Sequence, residues 1–301
     1  MATRNKLPYL MECLPRLLAA MRPDEEIVIV DGASSDGTTQ YLQSMAEQGF
    51  IQQFLSEPDA GEAHAMNKAL LLARGELIKI ITDDDVYYWP AIQQCKEFML
   101  AHPEIDILGT EGYGVNWQES TPNMPFHYRT NYLNWKSNGI PFSFCGLGIM
   151  MRRSSIAILG LFHTGFMRVD LEYTIRVTSV AAKLAWFTGL AWVRISNPSS
   201  NMVRLAHLSA AEENRINQFY LPDTTRKTRP RNIGWVIKKI KNVIKRLLMF
   251  FVSSPADKIH ADHIVNESDD INLALRFKQY EEWLETQNQR DHGTFLYRAN
   301  A

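Results

Sequence analysis

The sequence predicts an α/β protein, a mostly parallel sheet flanked by helices. Three observations carry that expectation. Between Pro8 and Ala101, short runs rich in isoleucine, leucine and valine alternate with amphipathic stretches of helical period. The stretches are about 10 to 15 residues long, the length of the helical crossover between parallel strands. Turn or stop residues punctuate them, among them Pro23, Gly49, Gly75 and Pro103.

Taken in order, Pro8 to Met21 places Leu10, Leu14, Leu17, Leu18 and Met21 at helical spacing, and Pro23 stops it. Ile27 to Val30 is a short buried strand that runs into Asp31. Thr38 to Gln48 reads as a helix ended by Gly49, and Ile51 to Leu55 as a strand. Glu62 to Arg74 is a helix closed by Gly75, because glycine adopts the left-handed turn that ends a helix. Leu77 to Ile81 is a strand and Ala91 to Ala101 a helix stopped before Pro103. Near the C-terminus, Asp269 to Glu285 predicts a helix with Leu273, Phe277, Tyr280 and Leu284 along one face. No internal repeat or low-complexity tract interrupts the pattern.

The chain has 301 residues, 46% hydrophobic and 22% charged, an ordinary globular composition. Cys13, Cys95 and Cys145 form no CxxC pair and read as reduced thiols. The longest apolar run, Leu247 to Val252, is far short of the roughly 20 residues of a membrane crossing, and residues 1–20 carry no signal-peptide pattern. The expectation is a cytoplasmic protein, peripheral on the inner face of the membrane at most. The net charge of −1 hides a segregation: nine lysines and arginines and no acidic residue lie between Asp223 and Asp257, so the rest carries −10. Three regions are therefore expected: a main domain over 1–225, a basic amphipathic segment over 226–256 and a helical tail over 257–301.

In parallel sheets, ligands bind beyond the C-terminal ends of the strands. Asp31 lies at one such end and the run Asp83-Asp84-Asp85 at another. Adjacent carboxylates repel, and a hard divalent cation such as Mg²⁺ or Mn²⁺ would reverse that balance. The other reading of the run is a solvated loop and helix cap. "DGASSD" does not fit a calcium loop, since its third residue is Ala33 and its sixth is Asp36.

Several motifs fall in one order: "VDGASSDGT", then Pro58, Asp59 and Gly61, then Asn67-Lys68, Gly75-Glu76 and Asp83 to Asp85. This set resembles the inverting, nucleotide-sugar-dependent glycosyltransferases of family 2, and the likeness extends over about residues 3 to 200. The resemblance implies the GT-A (Rossmann-like) fold, a UDP- or GDP-sugar donor and a saccharide or lipid-linked hydroxyl acceptor, with Mg²⁺ or Mn²⁺ as cofactor and no nucleic-acid partner. It implies that Asp31, Asp59, Asn67, Lys68 and Asp83 contact the donor, and that Asp84, with help from Asp85 or Asp83, holds the cation. Asp36 either caps the helix at Thr38 or contacts ligand. Further on, "RRSSIAILGLF" followed by Asp170 resembles the acceptor half of the family, which implies that Asp170 is the general base.

Two departures stand out. Val169 replaces the glutamate that usually precedes the base, and Glu172 is expected to pair with Arg176 at four-residue spacing. Family members also open with a strand of about five apolar residues ending Pro-Thr-x-Asn. Thr3-Arg4-Asn5 match its end with only Met1 and Ala2 ahead, so that strand is expected to be truncated or lost. The rival expectations are a catalytically inactive nucleotide-sugar-binding homologue and a sugar nucleotidyltransferase, although the glycine-rich loop of the latter is not visible.

Gly234 to Val252 interleave lysines with apolar residues at helical spacing. This reads either as an interfacial helix that attaches residues 226–252 to an anionic membrane surface or as a helix packed on the main domain with a solvated basic face. Each basic residue near such a surface contributes about 1 kcal/mol, and salt screens it. Sedimentation with anionic vesicles is expected to show binding that weakens with salt and with Lys238, Lys239 and Lys241 changed to Glu. Equal binding to neutral vesicles would contradict the electrostatic part.

Overall fold

In the computed structural model, residues 1–180, 182–198, 200, 206–221 and 272–297 are described. They belong to one unit, Met1–Leu221 with Asn272–Ala301. The basic segment lies outside the described residues.

The alternation read from the sequence is present. Strand β1 (Ala2–Thr3) leads into α1 (Leu7–Ala20), β2 (Val28–Asp31), α2 (Thr38–Glu47), β3 (Gln53–Ser56), α3 (Glu62–Leu72) and β4 (Leu77–Lys79). β5 (Val86–Tyr87) and α4 (Trp89–Ala101) follow. The second half contributes β6 (Ile107–Asn116), β7 (Met124–Phe126), α5 (Arg129–Asn138), β8 (Met150–Arg152), α6 (Ile156–Leu159), α7 (Val169–Ser179) and β9 (Leu184–Ser196). The order closes with α8 (Ala206–Tyr220), α9 (Leu273–Arg290) and β10 (Phe295–Leu296). Asp36 caps from just outside its helix: its carboxylate accepts from Thr38 N at 3.0 Å and from Leu7 N at 3.1 Å, so it serves α1 and α2 together. The tail helix turns Phe277, Tyr280 and Leu284 into the core.

β1, β2 and β3 form a parallel three-stranded sheet. The second sheet is mixed, in the order β10-β9-β6-β8-β4, with β5 on β9 and β7 on β6. Its spine is the parallel pair β6 and β9, where Trp186 and Trp192 lie fully buried against Gly109 and Gly112. A Cβ at either glycine would collide with an indole ring, so close approach of backbone to ring demands glycine there.

β1 and β4 each end their sheet, and both line one cavity of about 1450 Å³. The two sheets are tied at one end by Glu26, whose carboxylate accepts from Arg74 N at 2.6 Å and Gly75 N at 3.0 Å. At the other end Lys6 Nζ meets Asp84 at 2.5 Å. β2 and β4 therefore run in the same direction on either side of the cavity, and their C-terminal ends share its mouth.

Lys79 on β4 projects its ammonium to the carbonyls of Leu147, Ile80 and Ile149. Burial pushes it down from its ordinary 10.5 to about 7. Between those values the unfolded chain holds a proton that the folded chain has released, so Lys79 makes stability rise with pH across that window. Lys79→Met removes the proton, and its stability should climb less than that of the wild type between pH 7 and 9. Thermal unfolding at several pH values checks this, and parallel curves for the two proteins would exclude it.

Candidate active site

The mouth of the cavity is built around the carboxylate run after β4. Asp85 is turned inward: Oδ1 accepts from Ile195 N at 2.6 Å and Oδ2 from Thr82 Oγ1 at 2.7 Å, which ties the loop to β9. Asp84 faces the cavity. Its Oδ2 accepts from Lys6 Nζ at 2.5 Å and Asn197 Nδ2 at 2.9 Å, while Oδ1 has no hydrogen-bond partner among the described residues. Asp83 is buried beside it. Burial, and then the neighbouring charge of Asp84, push the Asp83 carboxyl up to about 7; the same two causes push Asp85 to about 8.

Asp59 also lines the cavity. One of its oxygens accepts from Gly61 N at 2.8 Å, and the other lies where a Cβ on Gly32 would be, so the glycine after Asp31 makes room for it. Asp31, Asn67 and Lys68 are not among the lining residues. The Asp31 carboxylate is fully buried and accepts four hydrogen bonds: from Ser34 Oγ at 2.5 Å, Ser34 N at 3.2 Å, Thr39 Oγ1 at 2.6 Å and Ser56 Oγ at 2.7 Å. It holds the "DGASSDGT" turn in shape. Asn67 exchanges two hydrogen bonds of 2.8 Å with the backbone of Phe162, pinning the loop before α7 to α3. Lys68 pairs with Glu57 at 2.7 Å.

Asp170, which also lines the cavity, sits in the first turn of α7, where the helix dipole favours a negative charge. Gly146 N donates to its Oδ2 at 3.2 Å, and Oδ1 has no hydrogen-bond partner among the described residues. Glu172 instead faces inward, paired with Arg176 at 2.8 Å as its spacing predicts and accepting from Tyr220 Oη at 2.7 Å. The structure thus gathers Asp59, Asp83, Asp84, Asp85 and Asp170 around one space and places Asp31, Asn67 and Lys68 behind it.

The sequence reading overlooked Lys6, Asn197, Gly146 and Arg194. Lys6 directly follows the Thr-Arg-Asn stretch it did notice, but no spacing rule pairs residue 6 with residue 84. Among the described residues, five buried polar atoms lack a hydrogen-bond partner; four belong to residues lining this cavity, namely Thr3, Gln93, Arg168 and Arg194.

The donor set also fits a hard cation. Asp84 Oδ1 and the adjacent Asp83 offer carboxylate oxygen, matching the mode in which Mg²⁺ takes one or two carboxylates and completes its shell with substrate phosphate. An all-protein cage does not fit, because no group of three or more His, Cys, Asp or Glu suited to a metal occurs among the described residues.

This architecture is the GT-A fold. The chain is similar to S. aureus TarS 1-349 in complex with UDP-GlcNAc, at 18% identity and TM-score 0.54, covering 72% of this chain and 68% of that one. It is also similar to the mannosyltransferase PcManGT from Pyrobaculum calidifontis in complex with GDP-Man and Mn²⁺, at 21% identity and TM-score 0.51, covering 71% and 60%. The chain belongs to glycosyl transferase family 2, whose family model matches residues 1–159. Among curated relatives it is 29% identical over 119 residues to TuaG of Bacillus subtilis, a glycosyltransferase assigned to teichuronic acid biosynthesis, covering 39% of this chain and 46% of that protein. It is 27% identical over 124 residues to the glycosyltransferase GlyG of Streptococcus pneumoniae, covering 41% and 40%. The match spans less than half the length of both relatives. Among the described residues no helix is long and apolar enough to cross a membrane.

Asp31→Ala would strand the donors that converge on this carboxylate. Each buried group left unsatisfied costs about 1 to 3 kcal/mol, so a loss of roughly 3 kcal/mol or more is expected in denaturant unfolding. A loss under about 1 kcal/mol would show that the turn is held by other contacts.

Proposed function

We propose that this protein transfers one sugar from a nucleotide-diphosphate sugar, with a UDP- or GDP-linked donor, to a hydroxyl acceptor, with inversion, in the assembly of a surface polysaccharide or glycolipid. The observation that supports it most is that Asp84 and Asp170, from distant parts of the chain, line the same cavity, and each has one carboxylate oxygen without a hydrogen-bond partner among the described residues. The donors named for TarS and PcManGT, and the teichuronic acid assignment of TuaG, support the substrate class.

In this reading the donor lies at the mouth of the cavity against Asp59 and Asp83, on a surface that Asp31, Asn67 and Lys68 shape from behind. Asp84 would hold Mg²⁺ or Mn²⁺ together with Asp83 while Asp85 fixes their loop; the bound ion would supply positive charge to the departing diphosphate. Asp170 takes the proton from the acceptor hydroxyl at its open oxygen. The hydroxyl oxygen attacks the anomeric carbon as the bond from that carbon to the diphosphate oxygen breaks on the opposite face, and the configuration inverts. Gly146 N holds the other Asp170 oxygen, so the base is aimed before the acceptor arrives. The cavity wall, interrupted by Arg168 and Arg194, gives anionic groups of the substrates cationic partners.

A positioned carboxylate base contributes about 10² to 10⁴ in rate. Release of nucleoside diphosphate from a panel of sugar nucleotides, with acceptor and with and without Mn²⁺, is expected to fall by that factor in Asp170→Asn while donor affinity stays the same. Asp84→Asn is expected to lose the response to Mn²⁺. Transfer at the wild-type rate in Asp170→Asn would remove the base assignment, and a panel in which no sugar nucleotide is consumed would favour the binding homologue.

A further inference from the structure

We infer that Lys6 is a built-in counter-cation of the Asp84 site, whose charge opposes a divalent ion at the same carboxylate until the ammonium moves to another partner. The inference rests on the metal reading of Asp84 above. Asp84 Oδ2 is already taken, by Lys6 Nζ at 2.5 Å and Asn197 Nδ2 at 2.9 Å. The two side chains of the ion pair are only 12% and 13% exposed, so water and salt screen it far less than a surface pair.

Lys6 reaches Asp84 from another part of the chain, and its own backbone is anchored. Its N–H donates to Thr38 Oγ1 at 3.3 Å, and the next residue, Leu7, donates to Asp36 at 3.1 Å. The ammonium lies 5.1 Å from the centre of the Tyr9 ring, which favours a cation at that spot. Its placement therefore follows from the joint between β1 and α1.

A divalent ion at Asp84 Oδ1 would meet this ammonium across a single carboxylate. Two positive charges a few ångströms apart in a poorly screened site repel strongly, and each 1.36 kcal/mol of repulsion is a factor of ten in affinity. The diphosphate of the donor changes the balance, since its oxygens give the displaced ammonium a new partner inside the same cavity. Lys6 thereby makes the metal site weak in the empty protein and strong once an anionic nucleotide is present, which orders the binding of donor and ion.

Free Mn²⁺ measured by electron paramagnetic resonance in titrations of the full chain tests this. With Mn²⁺ alone, Lys6→Gln, which keeps a hydrogen-bond donor for Asp84, is expected to bind roughly tenfold or more tighter than the wild type. Lys6→Arg keeps the charge and should match the wild type. Addition of UDP or GDP should narrow the gap between wild type and Lys6→Gln. If Lys6→Gln and the wild type bind Mn²⁺ alike while Asp84→Asn abolishes binding, the counter-cation role is wrong and the metal reading stands. If Asp84→Asn leaves Mn²⁺ binding intact, or no variant binds the ion, the metal reading fails and takes the inference with it.

Discussion

Three successive carboxylates at the end of one strand must be kept in a partly buried place without flying apart. The fold meets that constraint by bringing distant partners to Asp84 and Asp85. Asp85 is neutralised by hydrogen bonds from β9 and from Thr82, and Asp84 by Lys6 near the N-terminus and Asn197 beyond β9. Burial, and then the charge of Asp84, still drive the carboxyls of Asp83 and Asp85 upward, Asp85 the further of the two. Residues 3–6, 82–85 and 195–197 meet there, so the site exists only when both sheets are in place.

The rest of the structure serves that junction. The parallel pair β6 and β9 is a rigid beam, packed through tryptophans against glycines that leave no space for repacking. β9 delivers Ile195 N to Asp85, and Gly146 delivers its N–H to Asp170, both on the lining of the cavity. The clamp between Asn67 and Phe162 joins the first half of the chain to the loop that leads into α7. Hydrogen bonds across sequence separations of about a hundred residues thus set the relation of Asp84 to Asp170.

Much of the first half was legible in the sequence. Apart from β5, the helices and strands from α1 to α4 follow from apolar periodicity and from proline and glycine stops, signals that live within a few residues of where they act. Gly49 is left-handed after α2 as expected, whereas α3 already ends at Leu72 and Gly75 is not left-handed. The carboxylates at strand ends followed from the same local pattern, and so did the Glu172–Arg176 pair, because four residues on a helix is a fixed distance. The antiparallel members of the second sheet did not show themselves, since β8, with three residues, carries too little alternation to read.

What the sequence by itself determined is the set of elements, the order of the motifs and the residue types able to do the chemistry. Tertiary structure alone decided which of those residues face the cavity. Asp31, Asn67 and Lys68 belong to the same motifs as Asp59 and Asp84, yet the first three bond away from the cavity while the last two line it. It also decided that Lys6 and Asn197 converge on Asp84. The physical reason is that periodicity encodes the face of an element on which a side chain stands, whereas the partner it meets depends on chain closure between positions far apart, which no local pattern records.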